Sequence, residues 1–299
     1  IHVQLYKTTD KNLNLRKMNK MNDIVYLNGN FVLAKNACIS PNDRGFLFAD
    51  GIYEVIKYYN GKPFRYADHY NRLKRSLNEI EIDFQEAASL KQIFDELISK
   101  NNLNNKHAGI YVQITRGVAH RSHHFPENIK PTVYAYAFEL PSFEEKLENG
   151  IKVITHEDIR WHRCDIKSVA LLPNTMLYNR AVQNGAGECI LIRNGIVTEA
   201  THSSVFGIKN DTVFTHPQSN LILPGINRSV VFEICRKNNI AIKEQAIAEV
   251  ELFELDELFI SGTGSEIMPV VQVDQKIIGN NKPGDITRFI QKKFFELVE

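Results

Sequence analysis

Arg160-Trp161-His162-Arg163-Cys164-Asp165-Ile166-Lys167-Ser168 runs on through Val169-Ala170-Leu171-Leu172 to Pro173-Asn174, and places one lysine between a charged, extended approach and an apolar run. An ammonium among apolar neighbours loses hydration, which favours the neutral amine and lowers its pKa. A neutral amine near pH 7 is a nucleophile towards aldehydes. The ordinary alternative is a lysine whose stem lies along the surface while its head stays in water. Spacing alone does not separate the two readings, so the rest of the chain has to.

The bulk composition narrows the field. Apolar residues make up 43% and charged residues 24% of 299 positions, as in a globular protein with a real core. A formal net charge of +1 leaves no footprint for nucleic acid or an anionic membrane surface. No apolar run approaches the length of a bilayer span. A small-molecule ligand is therefore the expected partner. Cys38, Cys164, Cys189 and Cys235 show neither C-x-x-C nor metal-ligand spacing, and read as reduced thiols of a cytoplasmic protein. Residues 1–20 are polar and lysine-rich, with no apolar segment of signal-peptide length. Met18 or Met21 reads as the natural start, with the preceding residues a leader outside the fold.

Outward from the lysine, hairpin signals dominate. Val25-Tyr26-Leu27 and Phe31-Val32-Leu33 flank Asn28-Gly29, which supplies the positive φ angles of a tight turn. Ile52 to Tyr59 alternates as a strand, with Ile52, Glu54, Ile56 and Tyr58 on one face and Tyr53, Val55, Lys57 and Tyr59 on the other. Helical spacing follows over 67–80 and 85–101, then strands over 108–116 and 132–138. Ser142 to Gly150, charged and without strand periodicity, is the expected linker. It would separate a small N-terminal domain over 21–141 from a larger domain over 151–299. In the second half, strands are expected at 151–155, 189–193, 196–200, 240–243, 257–261 and 269–273, a hairpin at 205–215, and helices at 173–184, at 226–238 and from 285. Hairpins outnumber strand-helix-strand units, so the fold class is α+β, hairpin-rich sheets with packed helices, and not a doubly wound parallel sheet.

Several stretches suit a ligand. Leu223-Pro224-Gly225 leads straight into a helix, whose free amides at Ile226 and Asn227 and whose dipole would face an anion. Ser261-Gly262-Thr263-Gly264-Ser265 follows a strand, and glycines alternating with hydroxyls form a concave array of N–H donors. Arg72, one turn beyond His69, is either a solvated helix arginine or a clamp on a phosphate. Glu199 ends a strand, and if it points inward it needs a proton-bearing partner. His120, His123 and His124 are closely spaced on a loop with no carboxylate or helix to fix them, which argues against a metal. Arg121 with His123 suits a carboxylate better, through two parallel guanidinium donors and an imidazole.

In this order and across both halves, Asp43-Arg44-Gly45, Asp50-Gly51-Ile52-Tyr53-Glu54-Val55-Ile56-Lys57, Thr115-Arg116-Gly117 with Arg121 and His123, Arg163-Cys164-Asp165-Ile166-Lys167-Ser168 and Thr198-Glu199 resemble the two-domain fold-type IV pyridoxal-phosphate enzymes, most closely their D-amino acid (D-alanine) aminotransferase branch. The resemblance runs from about Tyr26 to the C-terminus. It implies that Lys167 carries pyridoxal 5'-phosphate as a Schiff base and moves the proton at the substrate Cα. It implies that Glu199 bonds the pyridine nitrogen, and that Arg72, the amides of Ile226 and Asn227, and Thr263 hold the phosphate. Tyr53, Arg121 and His123 would trap the substrate α-carboxylate, the last two reaching in from the neighbouring subunit of a homodimer. A transaminase moving the amino group of D-alanine or D-glutamate to a 2-oxo acid is the expected activity. A branched-chain L-amino acid aminotransferase and an aminodeoxychorismate lyase are the alternatives on the same fold. The chain departs from that pattern at Ala200, Thr201, His202 and Gly262, which leaves fewer hydroxyls expected around the cofactor.

Overall fold

A computed structural model describes residues 23–85 and 89–298. The leader reading for residues 1–20 lies outside the described residues. The first sheet has six strands in the order β2-β1-β6-β5-β3-β4, formed by β1 (Ile24–Leu27), β2 (Asn30–Leu33), β3 (Gly51–Tyr59), β4 (Lys62–Pro63), β5 (Ala108–Thr115) and β6 (Thr132–Glu139). Every pair in it is antiparallel. The short helix α1 (Arg44–Phe48) precedes β3, and α2 (Tyr66–Glu79) and α3 (Leu90–Lys100) pack on one face. Alternation along β3 explains why. Ile52, Ile56 and Tyr58 join Leu73 and Leu77 of α2 and Leu90, Phe94 and Leu97 of α3 in one buried cluster. On the opposite face Tyr53 stacks on Tyr111 at 5.6 Å between ring centroids, and Tyr111 on Tyr136 at 5.2 Å.

The second half opens with α4 (Glu144–Asn149) and β7 (Ile151–Glu157), then α5 (Leu172–Gln183), β8 (Glu188–Arg193), β9 (Ile196–Ala200), β10 (Ser204–Lys209) and β11 (Thr212–Thr215). It closes with α6 (Ile226–Lys237), β12 (Ala241–Glu244), β13 (Glu257–Gly262), β14 (Glu266–Val273), β15 (Lys276–Ile277) and α7 (Asp285–Phe295). Its sheet runs β12-β11-β10-β13-β14-β7-β8-β9, with β15 paired to β14. Antiparallel neighbours predominate, but β7 is parallel to both β8 and β14, and β11 to β12. Each of these parallel pairs needs a long crossover. The β7–β8 crossover contains the Lys167 stretch and α5, and the β11–β12 crossover contains α6. On one face α6 and α7 bury Val230, Val231, Ile290 and Phe294 against the parallel-stacked rings of Phe206 and Phe259.

The stretch from Ser142 to Gly150 is not a bare spacer. Glu144–Asn149 is helical, with Glu144 and Glu145 in its first turn, where the helix dipole favours negative charge. Arg288 and Gln291 of α7 donate to the Leu147 carbonyl at 2.9 and 3.1 Å. Six residues are too few to display a helical period in the sequence, which is why the charge pattern reads as a linker.

Lys57 and Tyr59 leave the first sheet on its outer face and meet Glu266 at the start of β14. Lys57 Nζ and the Tyr59 hydroxyl each donate to Glu266 Oε1 at 2.7 Å, in a buried contact between the two sheets. Lys57→Met would leave Glu266 buried without its cation, at a cost of about 3 kcal/mol. That loss is expected as a lowered urea midpoint, with Lys57→Met/Glu266→Leu recovering most of it. Equal midpoints for Lys57→Met and the parent would contradict the assignment.

Candidate active site

The backbone around Lys167 is extended and pinned to β3. The Tyr53 N–H donates to the Lys167 carbonyl at 2.9 Å, the Val169 N–H to the Gly51 carbonyl at 3.1 Å, and the Lys167 N–H to Ser76 Oγ of α2 at 3.3 Å. Two residues earlier, buried Asp165 accepts from Arg75 at 2.5 Å and from Arg163 at 3.1 Å, while Arg75 also donates to the Asp165 carbonyl at 2.9 Å. Two backbone contacts to β3, one to α2 and one ion cluster thus fix where the lysine stem begins. The side chain is half-buried, with Nζ 4.4 Å above the Tyr53 ring and 3.4 Å from its hydroxyl. It enters a cavity whose walls come from both halves of the chain.

Glu199 lies in the same cavity, at the end of β9. It points inward and is buried, with the Arg160 guanidinium bonded to one oxygen and the Leu223 N–H donating to the other at 3.1 Å. Arg160 is held in turn by Asp158 through two bonds of 2.9 Å. Burial pushes the Glu199 carboxyl above the usual range, against the pull of Arg160 and the Leu223 amide. A further proton-bearing cation beside it would be stabilised there.

Arg72 is not in water. Its Nε and one Nη donate to Glu54 at 2.6 and 2.8 Å, and its other Nη to the Pro224 carbonyl at 2.9 Å. His69 Nδ1 completes the buried group, 2.8 Å from Glu54. The guanidinium is therefore locked against the turn that begins α6. That helix starts at Gly225 with no side-chain cap, so the amides of Ile226 and Asn227 face the cavity. A Cβ on Gly225 would come within 2.9 Å of Ser204 Oγ, which would have to turn aside to admit it. The Asn227 side chain donates to the Gly262 carbonyl at 2.8 Å, which ties the helix start to the turn carrying Thr263. Ser261 Oγ is buried in this wall without a hydrogen-bond partner among the described residues.

The fold brings together Lys167, Glu199, Arg72, Ile226, Asn227, Thr263 and Tyr53 in one cavity. Arg121 and His123 are not among its lining residues. Both are exposed on the loop after β5, resting on the Phe48 ring at 5.1 and 5.6 Å. Among the described residues, no group of three histidines, cysteines or carboxylates is arranged to hold a metal.

Three partners escaped the sequence reading. Asp158 and Arg160 anchor Glu199, and Glu54 anchors Arg72. Glu54 had a visible signal: a carboxylate on the Ile52, Ile56, Tyr58 face of β3 must be paired when that face is buried. The hydroxyls in the cavity wall include those of Ser168, Ser203, Ser204, Ser261 and Thr263. Thr201 turns to the buried Glu188 carboxylate instead, and His202 Nδ1 lies 2.8 Å from the same group.

The profile described as amino-transferase class IV matches residues 51–273. The chain belongs to the class IV aminotransferases. Among its class IV relatives, the D-alanine aminotransferase of Staphylococcus haemolyticus is 42% identical over 277 residues, 92% of this chain and 98% of that protein. The D-alanine aminotransferase of Bacillus licheniformis is 41% identical over 268 residues, 89% and 94% of the two chains. Among solved structures, the branched-chain amino acid aminotransferase of Escherichia coli aligns with a TM-score of 0.88 at 27% identity, covering 93% of this chain and 95% of that one.

Class IV aminotransferases are pyridoxal-phosphate enzymes, and the donors present suit that cofactor. An uncapped helix start beside a locked guanidinium and an unpartnered hydroxyl fits a phosphate. A buried carboxylate in the same cavity fits a protonated ring nitrogen, and the Lys167 amine lines that cavity too.

The Glu54–His69–Arg72 group makes stability depend on pH. Burial, only partly offset by Glu54, holds His69 below its ordinary value of 6.5. Burial raises Glu54, but Arg72 and His69 outweigh it and keep the carboxyl well below its ordinary 4.5. Both groups bind protons more readily when unfolded, so the stability they contribute is present above those ordinary values and is lost as pH falls through them. Urea midpoints of the cofactor-free protein should therefore drop between about pH 7.5 and about pH 5.5. His69→Gln should show a shallower drop, and an identical slope in the two proteins would remove His69 from the account.

Proposed function

We propose that this protein is a D-amino acid transaminase, which moves the amino group of D-alanine or D-glutamate to a 2-oxo acid, with Lys167 as the residue that holds its cofactor and moves the proton. The observation that carries the reading is that one cavity is lined by the Lys167 amine, the buried Glu199 carboxylate, the α6 start and Arg72. The bacterial relatives at 41–42% identity are D-alanine aminotransferases, whereas the branched-chain enzyme is 27% identical. Sequence similarity thus favours the D-amino acid activity within the shared fold.

Pyridoxal phosphate, when bound, is an electron sink for a substrate carbon that has lost its proton. The chain supplies everything else. The amides of Ile226 and Asn227, Thr263 and Arg72 bind the phosphate. Glu199, oriented by Arg160 and Asp158, keeps a proton at the ring nitrogen. Lys167 Nζ takes the proton from the substrate Cα, and the Tyr53 hydroxyl 3.4 Å away steers the amine and contacts the substrate carboxylate. Arg121 and His123 provide the remaining carboxylate donors to the partner subunit of a homodimer, consistent with their distance from their own chain's cavity. The enzyme works on soluble amino acids and 2-oxo acids in the cytoplasm, and no helix among the described residues is long and apolar enough to cross a membrane.

Borohydride reduction followed by peptide mapping should place the reduced cofactor on Lys167, and D-alanine with 2-oxoglutarate should yield pyruvate and D-glutamate. Lys167→Ala should lower that turnover by about three orders of magnitude or more, because nucleophile and proton carrier are one atom. Turnover of L-leucine or L-valine without D-alanine would make the enzyme a branched-chain one, and pyruvate release from aminodeoxychorismate without an amino acceptor would make it a lyase. Mixing inactive Lys167→Ala and Arg121→Ala chains should restore activity through hybrid dimers that hold one intact site. Absence of recovery in dimers shown to exchange chains would refute the shared site.

A further inference from the structure

Arg121 and His123 sit on a loop after β5 with little regular structure of its own, yet a carboxylate clamp works only if its donors are held still. The structure shows what holds them. Arg44, almost fully buried at the start of α1, sends Nη1 to the carbonyl of Ser122, the residue between Arg121 and His123, at 2.6 Å. Its Nε bonds Asp50 at 2.7 Å. Asp50 in turn takes two bonds from buried Arg116, at 2.8 and 3.0 Å, and Arg116 also reaches the Glu81 carbonyl at 3.0 Å. One carboxylate thus fixes two guanidiniums, and one of these reaches the middle of the clamp.

The Phe48 ring is the second support. The Arg44 guanidinium lies 4.7 Å and the Arg121 guanidinium 5.1 Å from its centroid, with the His123 ring at 5.6 Å. Such contacts orient a guanidinium without consuming its N–H donors. The backbone agrees, since the Arg44 N–H donates to the Gly117 carbonyl at 2.9 Å and the Ala119 N–H to the Asn42 carbonyl at 3.3 Å. Neither Arg44 nor Phe48 lines the cavity of its own chain.

We infer that Arg44 and Phe48 are positioning residues for substrate-carboxylate recognition: Arg44 anchors the Ser122 carbonyl and Phe48 is the shelf on which Arg121 and His123 are aligned. The inference rests on the proposed role of Arg121 and His123 in binding the carboxylate. It makes recognition depend on two side chains that never touch the substrate.

The test compares Arg44→Lys, Phe48→Leu and Phe48→Tyr in the full-length holoenzyme. The donors are D-alanine and D-alaninol, the same amine with a hydroxymethyl group in place of the carboxylate, each followed by the cofactor's absorbance change in a single half-reaction. Arg44→Lys and Phe48→Leu should raise the D-alanine concentration for half-maximal rate by roughly ten-fold, the size of one lost charge-assisted hydrogen bond. The maximal rate and the D-alaninol reaction should stay at parent levels, and Phe48→Tyr should behave as the parent. Hydrogen exchange of the cofactor-free protein should show faster amides over 118–124 in Arg44→Lys, with β3 and β5 unchanged. Equal losses on both amines, or no change on D-alanine with unaltered loop exchange, would overturn the inference. If the parent does not convert D-alanine at all, the proposed activity falls, and an unaltered loop exchange would then independently remove Arg44 as the anchor.

Discussion

The site depends on a short backbone pairing. A segment without regular secondary structure, 166–169, lies along the start of β3, joined by the Tyr53 N–H to the Lys167 carbonyl and the Val169 N–H to the Gly51 carbonyl. Backbone bonds are directional and tie specific residues of the two segments to each other, so they set the register between the two halves of the chain. With that register in place, Tyr53 faces the lysine amine, Glu54 faces Arg72 from the other side of the same strand, and Lys57 and Tyr59 reach Glu266. One strand therefore carries the hydroxyl beside the lysine amine, the anchor of the Arg72 guanidinium and the inter-sheet ion pair, at positions set by its two-residue alternation.

The charges follow a common rule. Several ionic groups in and beside the cavity are locked by a second charged group. Asp158 holds Arg160, which holds Glu199. Glu54 and His69 hold Arg72, and Arg75 and Arg163 hold Asp165. Buried charges tolerate this arrangement because leaving one unpaired is far more costly than pairing it. The consequence for function is preorganisation, since the carboxylate and guanidinium facing the ligand do not need to reorient when it arrives.

Much of this was legible beforehand. Lys167, Glu199 and the two candidate anion turns could be singled out from residue type and neighbours, because a helix start after Pro-Gly and a glycine–hydroxyl turn have local signatures, whereas Tyr53 was singled out only through the family resemblance. The hairpin at Asn28-Gly29 was likewise local. The pairing of Glu54 with Arg72, of Asp158 with Arg160, and of Arg44 with the Ser122 carbonyl was not legible in detail. Their partners are 18, 2 and 78 residues apart, and even the shortest of these separations says nothing about the third member that makes the pair useful. The helix over Glu144–Asn149 was hidden by its brevity.

Alternation and turn chemistry in the chain itself were enough to specify an α+β fold with hairpin-rich sheets, and to single out Lys167 and Glu199 as candidates, since those signals act over a few residues. Tertiary packing alone settled that β7 takes parallel partners on both sides, that Arg72 is buried against the α6 start, and that Arg121 and His123 stand away from their own chain's cavity. Those outcomes depend on which distant surfaces meet, and the free energy of burying them is a property of the pair, carried by neither segment alone.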